Sequence, residues 1–186
     1  MKKLALTVVV LVALGIGARF RFVTSRDTLA AHKAAVTDSW TAVDAALREH
    51  AELLPVLEGK VRVAPKLETQ VQQTIAEVRG VLDQPHPAQE KIQAYTRLSR
   101  ETARLLLAAD QDNSLRRDPS LLILKDQLTE TDNRIMIARR KYNEALERYN
   151  ASLAVFPHNV VAAISGFSRD DAYFPTGFEF RPSTKE

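Results

Sequence analysis

From Val36 the large side chains recur at Val36, Trp40, Val43, Leu47, His50, Leu54, Leu57 and Val61. The steps alternate between four and three, which is the heptad stripe of a helix facing partner helices. Pro55 falls inside the run, so a kink is expected there, with Pro65 closing the helix. Leu67, Val71, Ile75, Val78 and Leu82 mark a shorter second helix. It ends at residues 83–87 (DQPHP), where two prolines predict a rigid turn. Pro87 suits the first turn of a third helix, with Ile92, Tyr95, Leu98, Thr102, Leu105 and Ala109 facing inward. After the polar turn 110–118 (DQDNSLRRD), Asp118 and Pro119 read as the N-cap and first residue of a last long helix. Its stripe is Leu121, Leu124, Leu128, Thr131, Ile135, Ala138, Tyr142, Ala145, Tyr149, Ser152 and Phe156, and Pro157 should stop it. Residues 158–165 (HNVVAAIS) predict a short helix ended by Gly166.

Two long and two shorter helices joined by polar turns predict an all-α fold, an antiparallel up-and-down four-helix bundle. Tyr142 and Tyr149 share one heptad position. The small Ala138, Ala145 and Ser152 alternate with these rings, so a neighbouring helix can interdigitate with them. Each buried tyrosine needs a partner for its hydroxyl.

The N-terminus changes the picture. Leu4 to Ala18 carries no charge, after Met1-Lys2-Lys3. A basic start, a short apolar core and small residues near Gly15 to Ala18 would suit a cleaved secretory signal. The following Arg19-Phe20-Arg21-Phe22-Val23 instead suits a membrane boundary, where arginines snorkel and aromatics sit in the interface. Leu4 to Val23 spans about 30 Å as a helix, enough to cross a bilayer. The expected organisation is an N-terminal transmembrane anchor at 1–23, a helical bundle at 24–166 and an aromatic-rich tail at 167–186. Lys2 and Lys3 flank the span on one side; Arg19, Arg21, Arg26 and Lys33 follow it on the other. That excess leans towards a bulk domain on the cytoplasmic side.

Composition excludes more than it assigns. The 186 residues contain no cysteine, which removes disulfides, thiolate nucleophiles and thiolate-held metal centres. A net charge of +3, with basic and acidic residues interspersed, gives no argument for nucleic acid. His32, His50, His86 and His158 are scattered, and His50 reads as a core histidine. Asp110, Asp112 and Ser114 begin like a calcium loop, but Leu115 stands where glycine is needed and Leu121 where glutamate is needed. No Gly-rich phosphate loop, nucleophile elbow or H-E-x-x-H motif occurs. The expectation is a non-enzymatic protein with no catalytic residues, no cofactor and no metal.

A set of fixed dipeptides is more specific. Asn133-Arg134-Ile135 is followed by Ala138-Arg139, Tyr142-Asn143, Tyr149-Asn150, Phe156-Pro157, Ala163, Gly166-Phe167 and Tyr173-Phe174. Upstream stand Ser39-Trp40, Val43-Asp44 and Leu53-Leu54-Pro55. On these residues the chain resembles the LemA family of bacterial single-pass membrane proteins, over roughly residues 4–175. Where that family habitually has Tyr-Asn after the span, this chain has Phe22-Val23-Thr24-Ser25. The resemblance implies a helical bundle anchored in the bacterial inner membrane, and it implies no biochemical activity.

Two groups of residues remain as candidates. Asn133, Arg139, Arg140, Asn143 and Asn150 flank the stripe of the last long helix. They either hydrogen-bond across helices and fix register, or form a recognition face for an unknown protein partner. Phe167, Tyr173, Phe174, Phe178 and Phe180 are five of the twelve aromatics. They either pack back on the bundle or dock on the membrane interface or a partner. Three functions are in play: a membrane-anchored scaffold or interaction module, a cleaved secreted or periplasmic helical binding protein, and an enzyme or enzyme subunit. The first is expected, with the lipid bilayer and a protein as partners.

Overall fold

The computed structural model describes the backbone of residues 2–61 and 65–175, and the side chains of 6, 10–61 and 71–175. Among them every regular element is helical: α1 (Lys2–Lys60), α2 (Pro65–Asp83), α3 (Ala88–Gln111), a 3-10 turn (Leu115–Arg117), α4 (Pro119–Ala154) and α5 (His158–Ser165). The fold is all-α, as expected. Pro55 lies within α1. Pro65 does not close that helix. The helix ends at Lys60, and Pro65 opens α2, where its missing N–H would have had no intrahelical partner. Asp118 precedes α4 and accepts the Ser120 N–H at 2.9 Å, the expected cap. The Ser120 hydroxyl and N–H hydrogen bonds hold its carboxyl below the usual carboxylate range.

Among the described residues no helix is long and apolar enough to cross a membrane. The expected span depends on Leu4, Ala5, Thr7, Val8 and Val9, whose side chains lie outside the described residues.

The chain divides into two compact units. Among the described residues, 39–61, 65–142 and 172–175 form the larger. Its core takes Val43, Leu47, Leu54 and Leu57 from α1, Val71, Ile75, Val78 and Leu82 from α2, and Ile92, Leu98 and Leu105 from α3. From α4 come Leu121, Leu124, Leu128 and Ile135. The heptad stripe therefore faces inward on all four helices. Lys91 of α3 is buried, and its ammonium reaches Asp44 of α1 at 2.6 Å and the Leu82 carbonyl near the end of α2 at 3.0 Å. That carbonyl belongs to a helix end with no intrahelical donor, so the lysine ties three helices together.

The smaller unit comprises residues 1–38 and 143–171. Leu29, Val161 and Ala162 form its buried centre, with Phe22, Leu153 and Phe167 packed around them. Gly166 ends α5 with φ 75°, a left-handed turn that glycine adopts without a Cβ penalty. The N–H groups of Gly166 and Phe167 both reach the Ala162 carbonyl.

One sequence expectation fails at the end of α4. Phe156 is 78% exposed, not a core ring. The helix has ended at Ala154, and the buried side has already moved from Ala145 to Leu146 and from Ser152 towards Asn150 and Leu153. An α-helix of 3.6 residues per turn drifts about 20° per heptad against a strict seven-residue repeat, so a stripe read over five heptads runs off the buried face.

Candidate functional site

The tail is seated by the tyrosines that the sequence repeats. In the larger unit Tyr142 of α4 is fully buried against Trp40 of α1, with ring centroids 5.2 Å apart. Phe174 enters beside both, 6.3 Å from Trp40 and 6.0 Å edge-on to Tyr142. Arg139, one turn before Tyr142, lays its guanidinium 4.8 Å from the centre of the Phe174 ring. It also donates to the Pro175 carbonyl at 3.0 Å. Burial lowers the pKa of that guanidinium, and the cation–π contact returns part of the lost hydration. In the smaller unit the Tyr149 hydroxyl donates to the Ser168 carbonyl at 2.8 Å. Asn150 is buried, and its amide spans both backbone groups of Asp170, donating at 2.6 Å and accepting at 3.1 Å. Lys33 lies 6.0 Å from the centre of the Phe167 ring.

Asn150 was expected to bond across helices or to face a partner. Its amide hydrogen-bonds the backbone of the tail at Asp170. Tail residues Phe167 and Tyr173 are half-buried and Phe174 is buried, so the described part packs back on the helices. Phe178 and Phe180 lie outside the described residues. Asn133 and Arg140 are exposed, and Asn143 is half-buried. Exposed Met136 and Ile137 lie within about one turn of the first two, and exposed Leu122 and Ile123 lie nearer the start of α4.

A second cluster is buried in the larger unit. His50 of α1 has its Nδ1 3.1 Å from Thr131 Oγ1 and 3.3 Å from Asp132 Oδ1, both on α4. The Thr131 hydroxyl donates to the Leu128 carbonyl at 2.9 Å, so its oxygen is the acceptor for a proton on His50 Nδ1. That assigns the neutral Nδ1–H tautomer. Tyr95 of α3 stands edge-on to the imidazole at 5.9 Å, and its hydroxyl points at Asp132 Oδ1 at 3.4 Å. Burial pulls the His50 pKa down to about 4 and pushes that of Asp132 up to about 6. Tyr95 is pushed up to about 12, by burial first and by the Asp132 charge second. The arrangement keeps all three groups neutral at mildly acidic pH. Sequence periodicity found His50, Tyr95 and Thr131 because they lie on the stripes. Asp132 escaped it, since a carboxylate next to a stripe residue looks like any solvated flank.

Among the described residues no group of three or more His, Asp or Glu side chains could hold a metal ion. No curated protein matches the chain. The LemA family model matches residues 39–183, which includes the Tyr-Asn pairs, Trp40, Arg139 and the described part of the tail. The chain belongs to the LemA family.

Proposed function

We propose that this protein is a non-enzymatic, membrane-anchored helical-bundle scaffold that binds another protein through α4. In this reading residues 1–23 span the bacterial inner membrane and the bulk domain stands on its cytoplasmic side. The helices of the larger unit form an up-and-down bundle. Its support is the order of the cross-helix pairs: Lys60 with Ser120, His50 with Thr131 and Trp40 with Tyr142 run α1 against α4. Asp110 with Lys125 and Tyr95 with Asp132 run α3 against α4.

The observation that carries the interaction reading is the outer side of α4. Met136 and Ile137 stand exposed within about one turn of Asn133 and Arg140, and Leu122 and Ile123 stand exposed about three turns before Asn133 on the same helix. Apolar side chains beside an arginine and an amide are the composition of an interface centre rather than of an ordinary wet helix face. Photo-cross-linking residues placed in cells at Leu122, Met136 and Ile137 test it, with exposed Arg100 of α3 as the control. Discrete adducts at the three α4 positions and none at Arg100 are expected. An intact, membrane-retained chain without adducts at any α4 position would end this reading.

A further inference from the structure

We infer that α5 lies in the headgroup–acyl boundary of the bilayer, as a second, interfacial membrane contact beside the end of the N-terminal apolar segment. The inference rests on the membrane-anchor reading and adds a second membrane-contacting element to it. Helix α5 contains no Asp, Glu, Lys or Arg. Its inner side, Val161 and Ala162, is buried in the smaller unit. Its outer side is mostly apolar: Val160 is 48% and Ile164 69% exposed, with exposed Ala163 and one exposed polar residue, Asn159, and exposed Phe156 precedes them. An uncharged helix that buries one side and exposes large apolar side chains on the other marks a surface suited to a cover other than water.

Position argues for lipid as that cover. Phe22 packs against the same buried centre as Val161 and Ala162. Phe22 is also among the last residues of the apolar run Leu4–Val23. If that run crosses the bilayer, α5 packs between the level of Phe22 and that of Leu29, within about 9 Å of where the chain leaves the hydrocarbon. Arginines flank this level at Arg19 and Arg21, suited to lipid phosphates, as the aromatic Phe156 is suited to the interface. An apolar helix face held there enters the boundary by about 5–10 Å.

The chain has no cysteine, so single cysteines can carry nitroxide labels. Val160→Cys, Ile164→Cys, Leu11→Cys and Leu107→Cys would be labelled in the full-length chain. Each would be reconstituted in vesicles of phosphatidylethanolamine and phosphatidylglycerol. Collisions with oxygen, which partitions into lipid, are compared with collisions with an aqueous nickel chelate. The expected result is a bilayer signature at Leu11 and a depth of about 5–10 Å at Val160 and Ile164, with Leu107 in water. Water-like labels at Val160 and Ile164, with Leu11 in lipid, overturn the inference and leave the anchor standing. Labels shielded from both reagents overturn it in favour of a protein cover. A water-like label at Leu11 brings down the anchor reading and this inference together.

Discussion

His50 and Asp132 are moved by burial in opposite senses, with a consequence for stability against pH. Unfolded, the pair takes up protons near 6.5 on the histidine and near 3.8 on the aspartate. Folded, it does so at about 6 on the aspartate and about 4 on the histidine. The proton changes owner, but the pair holds almost the same number of protons at each pH, so its net contribution to pH dependence is small. Removing one partner uncovers the other. In Asp132→Asn, His50 still prefers to be neutral when folded, so stability is full above pH 6.5 and falls as the pH drops towards 4. The loss is about 3 kcal/mol, from a shift of about 2.5 units at 1.36 kcal/mol each. In His50→Gln the slope reverses: the raised Asp132 pKa makes stability full below 3.8 and diminished as the pH rises through about 6. Thermal melts of both variants from pH 4 to 7 check this. Parallel pH profiles in the two variants would contradict the assignment.

Helices were legible in the sequence because their period is a consequence of burial on one side, and the described stripe residues of α1, α2 and α3 are buried apart from half-buried Trp40. Where other physics intervenes, the reading fails. The stripe of α4 extrapolated a seven-residue repeat past the point where a 3.6-residue helix turns away, and so lost Leu146 and misplaced Phe156. Pro65 was given the wrong helix because proline serves equally after one helix and at the start of the next. The tail has no period, so its attachment could only be framed as two alternatives. The structure puts Phe174 beside both Trp40 and Tyr142, and Asn150 on the backbone of Asp170. Phe174→Ala should therefore destabilise the full-length chain by about 3–5 kcal/mol, the range for a buried aromatic truncation. Tyr173→Ala, at a half-buried position, should cost much less. Equal melting temperatures for wild type and Phe174→Ala would mean that the tail is not a structural element.

Family membership, the all-α fold and the seated tail describe a protein whose distinctive residues organise its own C-terminal segment. Among the described residues, the apolar side chains left outward include Leu122, Ile123, Met136 and Ile137 on α4, Val160 and Ile164 on α5, and those of residues 10–20. All three acquire a role together if the chain is held at a membrane by residues 1–23, whereas a cleaved N-terminus would remove the first anchor and leave α5 facing water. The most direct test is to extract cell membranes with alkaline carbonate and measure the intact mass of the protein that stays behind. The account predicts that it remains in the membrane pellet at its full 20.8 kDa, with Met1 to Val23 retained apart from initiator processing. A carbonate-soluble protein whose mass lacks the residues before about Arg19 would contradict it.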